Sequence, residues 1–169
     1  MRWIWIDRFL EFEPGKRAVA VKNVSMAEEH LHDHWEPYPI MPASLMIEGM
    51  AQTAGILVGQ ARDFKEKVIL AKISKARFDD IVTPGDQITF EAEIETITED
   101  AAVTSGKIRK NGQPFGEVNI MFSHIDQSLT GTRVPKENFV FTGRFERMIE
   151  QFLPGSGPAP RRGEEGGDG

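Results

Sequence analysis

Between residues 43 and 61 the sequence reads ASLMIEGMAQTAGILVGQA, and a single charged side chain, Glu48, interrupts an otherwise apolar and small-residue run. The run holds no proline, and Pro42 just before it suits the first turn of a helix, where a missing N–H is no loss. Leu45, Met46, Ile47, Met50, Ala51, Ala54, Ile56, Leu57 and Val58 cover most of the circumference of that helix, which is therefore expected to be nearly all buried. At 100° per residue Ser44, Glu48, Gln52, Gly55 and Gly59 fall in one narrow stripe. A carboxyl group there loses hydration, which disfavours its ionised form, and this is how a carboxyl becomes a proton donor near neutral pH. Gln52, one turn further on, is placed to hydrogen-bond that carboxyl and fix its orientation. The plainer reading is a core acid satisfied by an Arg or a backbone group, because structural networks also bury acids.

A histidine lies just upstream. The segment 30–42 reads HLHDHWEPYPIMP, and Pro37, Pro39 and Pro42 within six residues exclude a helix there. The segment is read as a loop that delivers His34 close to the start of the helix. Histidine is the side chain whose ordinary titration range suits a general base at neutral pH.

The stretch from His34 to Gln52 resembles the active-site signature of the 3-hydroxyacyl-acyl-carrier-protein dehydratases, a FabZ/FabA-like group of hot-dog-fold lyases with the pattern H-F-P-G-x-P-x-M-P-G-x-x-x-x-E-x-x-x-Q. His34, Pro39, Met41, Pro42, Glu48 and Gln52 match it in type and spacing. The flanking Asp7-Arg8, Glu13-Pro14-Gly15-Lys16-Arg17, Lys22-Asn23-Val24, Phe78 and Val82-Thr83-Pro84-Gly85-Asp86-Gln87 also look like the group, so the resemblance covers roughly residues 4 to 124. It departs at Trp35-Glu36-Pro37 and at Ala43, which stand where the group has Phe-Pro-Gly and Gly. Pro37 cannot donate a backbone N–H, whereas Ala43 can.

The resemblance implies removal of water from a (3R)-hydroxyacyl thioester in fatty acid biosynthesis. His34 would be the base at C2 and Glu48 the acid for the C3 hydroxyl. Ile40 would hold the histidine through its carbonyl, and the N–H of Ala43 would face the thioester oxygen. Trp35, Tyr38, Pro39 and Met41 are candidates to contact substrate, although aromatics beside a proline-rich loop are more often packing anchors. The resemblance further implies a homodimer, able to assemble as a trimer of dimers, whose sites combine the histidine loop of one subunit with the helix acid of the other. The acyl group would arrive on the phosphopantetheine of acyl carrier protein, with no metal and no other cofactor. Lys72, Lys75, Arg77, Lys107, Arg109 and Lys110 could form a docking patch for that acidic carrier, but an ordinary solvated strand face is the simpler reading.

Three rivals stand beside this one. His30, His32 and His34 would share one face of an extended strand and could hold a metal ion. Hot-dog thioesterases use a helix carboxylate to activate water, without a histidine at this spacing. The chain could also bind acyl thioesters without turnover, since function lives in the site and not in the fold.

The elements that must position these residues read as α+β. Residues 4–12 and 17–24 are strand-like and joined at Pro14-Gly15. Residues 68–78 are rich in β-formers, and 88–98 alternate, with Ile88, Phe90, Ala92 and Ile94 on one face. Residues 102–109 and 115–124 flank Asn111-Gly112, a hairpin signal that wants positive φ at both positions. The expectation is an antiparallel sheet wrapped around one long central helix. Phe145, Met148, Ile149 and Phe152 fall at i, i+3, i+4 and i+7, the pattern of a short amphipathic helix. The chain thus divides into a domain at residues 1–126, an extension at 127–153 and a Gly- and Pro-rich flexible tail at 154–169.

The 169 residues suffice for one domain with a sizeable core, and 40% hydrophobic with 27% charged residues is globular composition. A net charge of −6 argues against nucleic acid as the main partner. Without cysteine there is no disulfide, thiol nucleophile or cysteine-ligated metal. No apolar run approaches the roughly 20 residues of a membrane span, and the first eight residues are too few for a signal-peptide core. The expected setting is the cytoplasm, away from membranes.

Overall fold

The computed structural model describes residues 3–35, 37–125 and 143–152. Six strands make one antiparallel sheet: β1 (Arg8–Glu13), β2 (Arg17–Asn23), β3 (Lys67–Phe78), β4 (Gln87–Ile97), β5 (Ala101–Lys110) and β6 (Gln113–Ile125). Their spatial order is β1-β2-β4-β5-β6-β3. The helices are a single turn, α1 (His30–Asp33), the long α2 (Ala43–Gln60) and the short α3 (Gly143–Ile149), which runs into a 3₁₀ turn at Glu150–Phe152. This is the expected hot-dog arrangement, a sheet curled around one helix.

The turns obey their chemistry. Asn111 and Gly112 have φ of 52° and 81°, and the β5–β6 ladder closes on them at Lys110 opposite Gln113. Gly15 turns β1 into β2 with φ of 72°. On β4 the alternating side chains divide as expected: Ile88, Phe90 and Ala92 are fully buried, while Glu93 is exposed and Thr89 and Glu91 are only half-buried.

Helix α2 is buried along most of its length, with Met46, Met50, Ala54, Ile56, Leu57 and Val58 in the core. Pro42 sits at its N-cap rather than inside the first turn, and its carbonyl accepts from the N–H groups of Leu45 and Met46. At the far end the chain reverses through positive φ at Asp63 and Phe64, and the Phe64 N–H returns to the Gly59 carbonyl at 2.8 Å. Gly49 lets α2 lie against the sheet: a Cβ there would stand 2.5 Å from Phe90 Cζ.

Two expectations shift. The first strand begins at Arg8, not near residue 4, because the Trp5 N–H bonds a side chain of α2 instead of a neighbouring strand. The three histidines are not on an extended strand. His30–Asp33 is a helical turn with Leu31 buried beneath it, so His32 and His34 no longer share a face at i, i+2 spacing. Among the described residues no group of three or more metal-ligating side chains forms, and the strand geometry that motivated the metal reading is gone. The proposed tail at 154–169, residues 126–142 and Glu36 lie outside the described residues. No described helix is long and apolar enough to cross a membrane.

Candidate active site

Glu48 sits half-buried on α2, and Gln52, one turn later, donates from Nε2 to its Oε1 at 3.0 Å. The i, i+4 spacing alone brings these two together. Gln52 has further partners that no local pattern indicates. Its Oε1 accepts the backbone N–H of Trp5 at 2.8 Å, and its Nε2 also lies 3.1 Å from the Trp3 carbonyl oxygen as a donor. The segment ahead of β1 therefore straps across the helix and pins the amide that holds the acid.

The same residues edge a cavity of about 250 Å³. One wall is α2, through Glu48, Ala51, Gln52, Gly55 and Ile56. The others come from Val68, Ile69 and Leu70 of β3, Phe122 of β6 and Phe145 of α3. Apart from Glu48 and Gln52 the lining is entirely apolar or glycine. An acid at the edge of an otherwise hydrocarbon slot can hand a proton to a substrate while the slot holds an apolar chain. Sequence reasoning placed the acid but missed Phe145. Its helical spacing with Ile149 signals a buried face, though not which surface that face meets.

The histidine lies elsewhere on the chain. His34 follows the α1 turn, its backbone N–H returns to the His30 carbonyl at 3.3 Å, and its side chain is exposed. Among the described residues that side chain makes no hydrogen bond, to the Ile40 carbonyl or to any other group, and His34 does not line the cavity beside Glu48. Trp35 and Tyr38 are 58% and 67% exposed. Pro39 and Ile40 are half-buried, with the Ile40 N–H on the Tyr38 carbonyl. Met41 is core: it is 3% exposed and its N–H bonds the Val82 carbonyl at 2.8 Å. At the start of α2 the Ala43 N–H has no partner among the described residues, a free donor at the positive end of a helix.

A chain of contacts links the two regions. The Trp5 ring packs edge-on against His30 at 5.1 Å, and His30 opens the turn that ends at His34. His30 Nε2 lies 3.4 Å from Glu28, which also pairs with the buried Lys22. Burial pushes the His30 imidazole below its ordinary value; Glu28 opposes that shift, and Lys22 and His34 reinforce it.

The basic residues of the outer sheet are largely spoken for. Arg77 pairs with Asp79 and Glu117, Lys75 with Glu117, Arg109 with Glu91, and Lys110 with Asp80. Four of the six candidate docking residues are thus ion-paired within the sheet.

Fold and cavity together define a hot-dog protein with an acid on its central helix. Solved structures show the same fold at low identity: a dehydratase heterocomplex from Xenorhabdus doucetiae superposes with TM-score 0.63 at 15% identity, covering 75% of this chain and 86% of that one. A thioesterase from Haemophilus influenzae gives 0.57 at 13% identity over 73% and 80%. Residues 3–114 match the FabA-like domain, and the chain belongs to that family. A relative from Ruminiclostridium cellulolyticum, a 3-hydroxyacyl-[acyl-carrier-protein] dehydratase, is 40% identical over 124 residues, which are 72% of this chain and 86% of the relative. Its namesake from Caldanaerobacter subterraneus is 37% identical over 71% of this chain and 86% of its own length. With relatives at this level, the chain is a dehydratase, a hydro-lyase.

Proposed function

We propose that this protein removes water from (3R)-hydroxyacyl thioesters carried on the phosphopantetheine of acyl carrier protein, giving trans-2-enoyl thioesters for fatty acid biosynthesis. The observation that carries the reading is the Glu48–Gln52 pair at the edge of an apolar cavity in a chain of this family. Glu48 gives a proton to the C3 hydroxyl, which leaves as water. His34 takes the C2 proton, and the electron pair of that C–H bond becomes the new double bond. The N–H of Ala43 stabilises negative charge on the thioester oxygen as the C2 proton departs. Every atom in this sequence comes from the substrate and these side chains, so the reaction needs no metal or redox cofactor of the protein's own.

Because His34 does not line the Glu48 cavity, we assign the base to a second copy of the chain. Strand β3 supports such a partner. It is an edge strand of twelve residues whose Ile69, Leu70 and Ile73 are 39–40% exposed, with Met121 of the neighbouring β6 at 38%. Long apolar edges are rarely left bare in soluble proteins. A homodimer joined here, assembling further as a trimer of dimers, working in the cytoplasm, completes the proposal.

The test is hydration of a crotonyl thioester and dehydration of a (3R)-hydroxyacyl thioester by the purified protein. His34→Ala and Glu48→Gln are each expected to lower turnover by ~10²–10⁴-fold, the usual worth of a general acid or base. Full activity in Glu48→Gln would refute the assignment. Because the fold is shared with thioesterases, free thiol is followed in the same assay: thiol release without enoyl formation would mean hydrolysis instead.

A further inference from the structure

We infer that Phe145 of α3 is a specificity-determining residue, a wall of the Glu48 cavity that restricts the protein to short acyl chains. The inference rests on the dehydratase reading for the identity of the ligand. Its ground is that the cavity is not built by the shared domain alone. The family match ends at residue 114, whereas Phe145 belongs to a helix well beyond it and still lines the same cavity as the acid.

That helix is anchored rather than loosely apposed. Phe145 is 6% exposed and Ile149 is fully buried. Phe152, at the end of the following turn, packs at a tilt against Phe12 of β1 with ring centroids 6.4 Å apart. With Ile149 and Phe152 anchoring the C-terminal side of its helix, Phe145 is held as a wall.

Size and chemistry point to the ligand. At about 250 Å³ the cavity is smaller than the roughly 300–1,000 Å³ of pockets that enclose drug-sized molecules. Its lining away from Glu48 and Gln52 offers no hydrogen-bonding side chain, so the part of the substrate that enters must be hydrocarbon, and Phe145 bounds how far it reaches. One methylene more or less in an apolar pocket typically changes kcat/KM by about 10–200-fold. A phenyl ring as the stop gives a sharp cut-off, and its removal leaves room for several carbons, because packed interiors close only partly over a deleted side chain.

The experiment measures kcat/KM over a series of (3R)-hydroxyacyl thioesters, from four carbons to twelve, for the full chain and for Phe145→Ala and Phe145→Trp. The affinity of unreactive acyl thioethers of the same lengths is measured alongside by calorimetry. Expected are a fall with length for the natural chain, a long-to-short ratio at least about tenfold higher in Phe145→Ala, and a lower ratio in Phe145→Trp. Ratios within one protein sample cancel any loss of folded material, so a destabilised variant still reports. An unchanged length profile in both variants of an active enzyme overturns the inference and leaves the dehydratase reading standing, as does a natural chain that already prefers long substrates. Thioether binding that follows the predicted ratios in a protein without turnover supports the cavity wall and removes the dehydratase reading. No turnover and no binding at any length overturns both.

Discussion

Gln52 makes hydrogen bonds in three directions: it donates to Glu48 and to the Trp3 carbonyl, and it accepts from the Trp5 N–H. Two replacements separate its duties. Gln52→Leu removes all three bonds and strands a backbone N–H, so stability should fall by about 1–3 kcal/mol, read as a lower urea midpoint. Gln52→Glu can still accept from Trp5 but cannot donate to Glu48, and it sets a second carboxylate beside the first. Here turnover should drop by tenfold or more, at about the cost of one like-charge contact, while the denaturation midpoint moves less than in Gln52→Leu. A Gln52→Leu enzyme with natural turnover would mean that the amide does not orient the acid. The Glu48–Gln52 half of this arrangement was legible in the sequence because residues four apart on a helix must be neighbours. The Trp3 and Trp5 half was not, since it joins positions 47 and 49 apart in the chain, and no local periodicity encodes such a contact. Phe145 escaped for the same reason.

At the scale of elements, the spacing between α2 and β4 is set where Gly49 meets the Phe90 ring. Two effects compete in Gly49→Ala. Alanine is the better helix former by about 1 kcal/mol. Its methyl would overlap a fully buried ring that has nowhere to retreat, and overpacking of that kind costs roughly 1–3 kcal/mol. The clash should win, and Gly49→Ala should unfold at lower urea than the natural chain. An increase in stability would show that the helix can lift off the sheet at no cost.

The α1 turn carries a pH dependence. Burial depresses His30, so the unfolded chain, with its histidine near the ordinary 6.5, takes up a proton more readily than the folded one. Stability is therefore unaffected well above pH 6.5 and declines as pH falls from about 6.5 through the lower folded value. His30→Gln should flatten that decline, which urea midpoints at about pH 7.5 and about pH 5.5 would reveal; an unchanged slope would place the acid sensitivity elsewhere. The long helix, the alternating β4 and the Asn111-Gly112 hairpin could be foreseen because their signals are local. The α1 turn could not, because three histidines ahead of a run of prolines look like loop until Leu31 finds a core to enter.

For the whole molecule, an antiparallel sheet wrapped around one helix followed from hairpin signals and the single long apolar run, whereas the strand order, with β3 at the edge beside β6, and the completeness of the site did not. A single chain supplies the acid, its amide and the apolar slot, but not the histidine. If the base comes from a second copy, the two inactivating substitutions should complement each other. A heterodimer of His34→Ala with Glu48→Gln has one site that carries both lesions and one site that is wholly natural. Random pairing of equal amounts makes half of the dimers mixed, and half of the sites in those are intact, so co-refolded or co-expressed subunits should recover about a quarter of natural activity. Each variant alone should remain near its own low rate. If both residues instead serve one site within a single chain, every site in the mixture keeps one lesion, and activity stays at the average of the two variants. Mixing folded proteins without exchange controls for simple additivity, since recovery should appear only when subunits can re-pair. The rate of that recovery would then report how tightly the apolar edge at Ile69, Leu70 and Ile73 holds the dimer together.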